Sequence, residues 1–341
     1  MKKSTVALLA GAALAAAAAL PATAGEAEEI RVGIVQFVDH ASLNQIRTSL
    51  ESRLDELAEE QGVNFNYADY YYNGNADGST LQQIGADLIS EDVDVIVAIA
   101  TPAAQIMQAA AEDTDIPIVF SAVSDPVTAG LAKELDAPGM NITGTSDALN
   151  TTTMMELIFA NDPEADTVGL LYSKSEDASR VPIEEAKAFL DEKGVKYVEK
   201  TGTTTDEVNA AVDALIAEGV DAIFTPTDNT VMNAELAIYE KLIDAGIPHY
   251  CGADSFALNG AFLGFGINYE DLGTATAEMV AEITVNGADP AETPVRTFDN
   301  GIATINTETA EAIGIDKDAA EEAFAPFCSD IVYVTTAEEF E

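Results

Sequence analysis

The chain of 341 residues is long enough to form two domains of about 150 residues, and its hydrophobic content of 48% is ample for buried cores. Its 60 acidic residues against 15 basic ones, spread along the whole chain, give a formal net charge of −45, which makes nucleic acid and anionic membranes unsuitable partners. The two cysteines, Cys251 and Cys328, are too few for a disulfide framework, and they leave open either one bridge or a buried free thiol at Cys251.

The first 24 residues have the order of an export signal. Lys2 and Lys3 precede an apolar run over residues 6–20, and small residues follow at positions 21–24. The run is shorter than the roughly 20 apolar residues that a membrane span needs, and a cleavage site follows it. We therefore predict cleavage after Ala24 and a mature protein in the periplasm.

Strands and helices alternate through the first half of the chain. The patterns predict strands at residues 30–37, 63–67, 93–100 and 116–121, and helices at residues 43–61, 81–90 and 103–111. The predicted strands are apolar along most of their length, which is typical of a parallel sheet covered by helices on both faces.

The same order begins again at residue 167. Strands are predicted at residues 167–172, 195–200, 222–224 and 247–250, with helices at 183–193, 208–217 and 231–245 that end at Gly194, Gly219 and Gly246. Two copies of one layout predict an α/β protein with two similar Rossmann-like lobes.

Segments rich in small and polar residues indicate where the chain crosses between the lobes. Residues 141–150 and 264–268 are the predicted crossings, and the helix that starts at residue 269 is expected to return to the first lobe. The resulting division is residues 30–145 with about 269–296 for lobe one, 146–268 for lobe two, about 297–315 for a third crossing whose lobe the pattern leaves open, and 316–341 for an acidic tail.

Ligands of open parallel sheets bind beyond the carboxyl ends of the strands, so the residues at those ends are the candidate site. The candidates at these ends and at the crossing back are Phe37, His40, Asn73, Thr101, Ala103, Gln105, Ser121, Asp125, Ser175, Glu176, Asp228, Asn229, Asp254 and Asn268.

Thr101 and Pro102 have the order of a helix start, with Thr as the N-cap and Pro in the first helical position. The N–H groups around Ala103 and Ala104 would then face a ligand carboxylate, assisted by the helix dipole. Plain capping is the alternative.

Two acids and two rings complete the predicted site. Asp228 and Asp254 each follow a strand and suit a ligand ammonium, while an N-cap and a loop acid are the respective alternatives. Phe37 and His40 would wall an aromatic or apolar ligand, unless they are a core Phe and a turn His.

Five strings carry a resemblance to a known family. They are VGIVQFVDH (residues 32–40), AIATPAAQ (98–105), PIVFSAVSDPV (117–127), PTDN (226–229) and GINY (266–269). Over residues 30–315 the chain resembles the ABC-transporter substrate-binding proteins of the tryptophan/tyrosine-binding type. The resemblance implies a type I periplasmic-binding-protein fold with three inter-lobe crossings. It also implies delivery of an amino acid, with an aromatic one as the narrower expectation, to a membrane permease with its ATPase.

Catalytic motifs are missing from the sequence. It contains no Gly-x-Gly-x-x-Gly after a strand, no P-loop and no Gly-x-Ser-x-Gly elbow, and its only histidines are His40 and His249. We therefore expect a monomeric binding protein without a cofactor or metal. A periplasmic ligand sensor for a membrane receptor stays open as the alternative, and a hydrolase is the weaker one.

The acidic surplus generates a prediction about salt. Repulsion between like charges destabilises the folded state at low ionic strength and is screened at high ionic strength, which suits a saline habitat. We expect the midpoint of thermal unfolding to rise when NaCl is raised from about 10 mM to about 1 M, where the Debye length falls to about 3 Å. Scanning calorimetry measures this midpoint, and an unchanged value would contradict the hypothesis.

Overall fold

The protein is described by a computed structural model over residues 27–340, and it has two α/β lobes, each built on one seven-stranded sheet. This confirms the α/β class and the two-lobed layout. The predicted export signal, residues 1–24, lies outside the described residues. None of the helices in residues 27–340 is long and apolar enough to cross a membrane.

Strands and helices are numbered in chain order through both lobes. Lobe one contains β1 (Glu28–Gln36), α1 (Ala41–Gln61), β2 (Val63–Asn66), β3 (Tyr71–Asn73), α2 (Gly78–Ser90), β4 (Val95–Ile99), α3 (Thr101–Ala111), β5 (Ile118–Ser121), β6 (Ile142–Ser146), α9 (Tyr269–Thr284) and β12 (Arg296–Thr297). Lobe two contains α4 (Thr151–Asn161), β7 (Thr167–Tyr172), α5 (Asp177–Lys193), β8 (Lys196–Thr201), α6 (Thr205–Glu218), β9 (Ala222–Thr225), α7 (Asn229–Ala245), β10 (His249–Cys251), α8 (Asp254–Leu258), β11 (Leu263–Gly266), β13 (Ile302–Asn306), α10 (Thr307–Ala312), α11 (Lys317–Phe324) and β14 (Asp330–Val334).

The first sheet is parallel throughout, in the order β12-β6-β5-β4-β1-β2, and β3 lies beside the second half of β1. Its middle strand β4 is buried along its whole length. Helices α1 and α9 pack together on the sheet, and α2 packs with α3. Coverage of both faces explains why β4 is apolar at every position.

The second sheet has the order β14-β13-β11-β10-β9-β7-β8 and is parallel except where β13 meets β11. Ile302 at the start of β13 pairs with Gly266 at the end of β11. Strand β13 therefore starts at the edge of the sheet where β11 ends, and it runs antiparallel to β11. The acidic tail continues this edge, because residues 330–334 form β14 beside β13.

Three crossings lie side by side between the lobes, after β6, after β11 and after β12. The third crossing is bonded to the other two. Its Asn300 Nδ2 donates to the Ala148 carbonyl at 3.1 Å, and its Gly301 N–H donates to the Gly266 carbonyl at 3.0 Å. The hinge is therefore a small hydrogen-bonded unit that holds the two lobes together.

Helix ends and thiols follow local chemistry. Gly194, Gly219 and Gly246 have φ of 74°, 71° and 68° and end α5, α6 and α7, which confirms the predicted helix ends.

The thiols of Cys251 and Cys328 are both free, so the predicted alternative of one bridge is wrong for this structure. Cys251 is buried in β10, as expected of a small apolar side chain.

The contact between α1 and α9 generates a prediction, because it depends on Gly273. A Cβ at this position would overlap the Ile46 carbonyl oxygen and Ser49 Oγ of α1. We expect Gly273→Ala to destabilise the protein by about 1–3 kcal/mol, despite the better helix propensity of Ala. Thr274→Ala, at the neighbouring half-buried position, is the control and should change stability by less than about 0.5 kcal/mol. Urea unfolding measures both, and equal effects would contradict the close-packing argument.

Candidate ligand-binding site

A cavity lies between the lobes, where the carboxyl ends of the two sheets face each other. Its volume in this structure is about 30 Å³, which is room for about one or two water molecules and lies well below the roughly 300–1,000 Å³ of small-molecule pockets. Its walls are His40, Ser42, Leu43, Ala100, Thr101, Ala122, Ser124 and Tyr269 from lobe one, Asp147 from the first crossing, and Ala178, Thr227, Asp228, Asn229, Met232, Ala253, Ser255 and Phe256 from lobe two.

The N-terminus of α3 opens onto this cavity. The helix begins at Thr101, with Ala100 as its N-cap and Pro102 in its first turn, so the predicted N-cap role of Thr101 is wrong by one residue. The Ala104 N–H donates to the Ala100 carbonyl at 3.1 Å, whereas the N–H groups of Thr101 and Ala103 precede the first helical bond. The backbone N–H groups of Thr101 and Ala103 are therefore the ones that this helix end leaves without an intrahelical partner.

Two alanines in the cavity wall have left-handed backbones. Ala100 has φ of 82° and Ala122 has φ of 54°, values that favour glycine. Each ends a strand of the first sheet, where the chain turns toward the cavity. Backbone strain of this kind is found where a wall is shaped for a ligand.

Hydrogen bonds join the lobes around the cavity, so the structure is closed. Ser42 Oγ donates to Asp254 Oδ1 at 2.7 Å, and the hydroxyls of Ser124 and Thr227 lie 2.9 Å apart. His40 Nε2 lies 3.2 Å from Asn229 Oδ1. Outside the cavity, Gln105 Nε2 donates to Asp177 Oδ2 at 2.7 Å and Arg180 Nη2 donates to the Thr128 carbonyl at 3.2 Å.

Asp228 lines the cavity but is fully engaged by its own lobe. Its Oδ1 accepts the Val231 N–H, which makes it the N-cap of α7, and its Oδ2 accepts the Ser173 N–H and the Ser179 hydroxyl. Burial raises the pKa of this carboxyl, and the nearby Glu176 carboxyl has its pKa raised well above normal by burial and by Asp228. Asp228 is therefore an N-cap, which is the alternative role that the sequence analysis left open for it.

Asp254 lies just outside the cavity wall, although its neighbours Ala253 and Ser255 line it. Its Oδ1 accepts the Ser42 hydroxyl from the opposite lobe, and burial raises its pKa to about 6. Asp254 thus belongs to the contact that closes the lobes.

Asp147 is the carboxylate that the sequence reasoning missed. It is 6% exposed and lines the cavity at the first crossing. Its Oδ1 accepts the Ser124 hydroxyl at 2.9 Å, and its Oδ2 accepts no side-chain hydrogen bond from residues 27–340. Burial raises the pKa of Asp147 to about 6, so a cationic group nearby would stabilise its ionised form.

The other candidates lie outside the cavity wall, each for a local reason. Phe37 packs in the core of lobe one, and Ser121 is bonded to Thr145 and Thr276. Asn73, Asp125 and Asn268 accept backbone N–H groups in a turn, in a loop and as the N-cap of α9. The remaining residues are Ala103, which is buried in α3, Gln105 in the inter-lobe bond, Ser175 on the surface and Glu176 behind Asn229.

The structure thus brings together His40, Thr101, Asp228 and Asn229 from the predicted set. Ser124, Thr227 and Ser255 also lie shortly after strands of the two sheets, but no distinctive sequence pattern marks them. Tyr269 and Asp147 lie beside the crossings, and their entry into the site follows from how the crossings bring the lobes together. No group of three or more His, Cys, Asp or Glu side chains suited to a metal ion occurs among residues 27–340.

Two mostly parallel α/β lobes, three crossings and a small cavity between the lobes define the class of type I periplasmic binding proteins. A family model described as ABC transporter substrate binding protein matches residues 31–323. This chain belongs to that family.

Similar proteins agree with this assignment. A tyrosine-binding protein of Clostridioides difficile is 32% identical over 290 residues, which are 85% of this chain and 82% of the relative. The crystal structure of an ABC domain of Streptococcus pneumoniae in complex with L-Trp has a TM-score of 0.81 and 32% identity, covering 89% of this chain and 100% of that one.

Relatives also bear on the closed arrangement of the lobes. The ligand-free, open structure of a substrate-binding protein with adhesive properties from Clostridium difficile has a TM-score of 0.67 at 35% identity, covering 90% of this chain and 100% of that one. The L-Trp complex matches better although its identity is no higher. The difference agrees with the inter-lobe hydrogen bonds described above.

Proposed function

We propose that this protein is the binding component of an ABC importer and that it captures an aromatic amino acid between the lobes, at this cavity, which must widen to hold the ligand. The observation that carries the proposal is that a buried carboxylate, Asp147, and the N-terminus of α3 line the same cavity. An amino acid carries an ammonium and a carboxylate, so it complements a wall that offers one acceptor and one anion site.

The side-chain part of the ligand would meet apolar walls. Leu43, Met232, Phe256 and Tyr269 line the cavity, and such side chains suit an aromatic ring better than a sugar. Two relatives, a tyrosine-binding protein and a protein crystallised in complex with L-Trp, support the same class.

Closure would couple binding to transport. The ligand would bind one lobe in the open form, and the inter-lobe bonds would then form around it, so that ligand shifts the population toward the closed state. The permease and its ATPase would act on this closed form in the membrane. A monomer in the periplasm, released by cleavage after Ala24, is part of the proposal.

We also propose that the cavity binds without catalysing a reaction. Its hydroxyls are largely committed, since Ser42 donates to Asp254 and Ser124 donates to Asp147. The family relatives are substrate-binding proteins, which supports this assignment.

A thermal-shift screen at high salt tests the proposal. The probes are the twenty amino acids, purines and simple sugars. We expect L-tyrosine or L-tryptophan to raise the melting temperature by about 3–8 °C at a hundredfold excess over Kd, because the ligand stabilises only the folded state. A shift from a sugar, with none from any amino acid, would remove the proposed ligand class.

Asp147→Asn tests the ammonium site. The amide loses the charge that a ligand ammonium needs, so affinity for the amino acid found in the screen should fall about 10- to 100-fold. The same site predicts a pH dependence. Asp147 with a pKa of about 6 must ionise to bind the ammonium, so wild-type affinity should fall as pH drops below 6.

Asp254→Asn is the matched control, because Asp254 is also buried and also has its pKa raised to about 6. The amide oxygen still accepts the Ser42 hydroxyl, so affinity should stay within about threefold of wild type. Isothermal titration from pH 5 to pH 8 measures all three proteins. If Asp147→Asn kept the loss of affinity below about pH 6, the ammonium would lie elsewhere.

A further inference from the structure

A chain of polar contacts fixes which nitrogen of His40 carries a hydrogen. Asn229 Nδ2 donates to Glu176 Oε2 at 3.2 Å, so the amide turns its oxygen the other way. That oxygen lies 3.2 Å from His40 Nε2. An amide oxygen only accepts, so Nε2 must be the nitrogen that donates.

The second ring nitrogen of His40 is then a bare acceptor. Desolvation lowers the pKa of His40 to about 4, so at neutral pH the ring holds a single N–H, on Nε2. His40 lines the cavity, and its Nδ1 is shielded from water without a hydrogen-bond partner among the described residues. A buried acceptor left without a donor is costly, and a ligand that supplied a donor would relieve this cost.

We propose that His40 Nδ1 accepts a hydrogen bond from an N–H or O–H on the ligand's ring, held in the accepting tautomer by Asn229 and Glu176. The inference rests on the proposed function, and it adds a specificity rule. A phenol or an indole supplies the donor, whereas a phenyl ring leaves the buried acceptor unpaired.

The contact chain also links recognition to closure. His40 precedes α1 in lobe one, while Asn229 begins α7 and Glu176 precedes α5 in lobe two. The accepting tautomer is therefore imposed only when the lobes come together. A ligand with a ring donor therefore binds the closed state more tightly than the open one. It shifts the population of the protein toward the closed state.

Two pairs of near-isosteric probes test the rule on the wild-type protein: L-tyrosine against L-phenylalanine, and L-tryptophan against 1-methyl-L-tryptophan. Titration calorimetry measures the four Kd values. In each pair we expect the probe with the ring donor to bind roughly 10- to 100-fold more tightly, because its partner leaves Nδ1 unpaired. Equal affinities within both pairs would overturn the inference and leave the proposed function intact. If none of the four probes bound, the proposed function would fail and this inference with it.

Variants separate recognition from a structural role. His40→Leu removes the acceptor, so the ratio of the two Kd values within each pair of probes should fall toward one. A residue that only supported the fold would weaken all probes alike and leave the ratios unchanged. Asn229→Leu should lower the ratios several-fold while keeping the His40 ring, because the tautomer is then no longer held.

Nitrogen-15 NMR of the tyrosine complex gives a direct signature. The chain has only two histidines, so the His40→Leu spectrum assigns the signals. We expect His40 to be neutral and protonated on Nε2, with an Nδ1 resonance shifted by a hydrogen bond from the ligand. An Nδ1-protonated ring in the complex would overturn the inference.

Discussion

The carboxyl ends of the two sheets face each other across the cleft, so closing the lobes removes their polar ends from water. A buried polar group without a partner costs about 1–3 kcal/mol, and the closed form therefore depends on partners supplied by the opposite lobe. Ser42 with Asp254, Ser124 with Thr227 and His40 with Asn229 are such partners. The atoms that this pairing leaves free define what the cavity can bind.

Three buried aspartates show how this pairing assigns different roles to one residue type. Asp228 is saturated by donors of lobe two and caps α7, and Asp254 accepts from lobe one and closes the cleft. Asp147 accepts the Ser124 hydroxyl from lobe one and lines the cavity. Burial raises the pKa of all three carboxyls, so burial alone does not distinguish a ligand-binding acid from a structural one.

Most of the fold was predictable, whereas the site was predictable only in part. The alternation of apolar strands and helices is a local pattern, and so is the position of Gly194, Gly219 and Gly246 at helix ends. Such patterns span a few residues and can be recognised in the sequence alone. The sequence did not predict that β13 pairs antiparallel with β11 or that β14 pairs with β13. Both pairings depend on where the third crossing returns to lobe two. Strand-end logic found His40 and Asn229, yet it included Phe37 and Ser121, since a strand end does not reveal which side chains point into the core.

The sequence by itself determined the duplicated α/β layout, the helix ends and the stretches from which ligand-binding residues come, because hydrophobic period and capping are local properties. Only the tertiary structure decided which of those residues face one cavity. It also decided that Asp147 lines the cavity and that His40 Nδ1 is buried there without a partner in residues 27–340. The reason is physical: a polar atom is available to a ligand only if no other atom of the folded chain has taken its hydrogen bond, and residues 189 positions apart, such as His40 and Asn229, meet only when the lobes close.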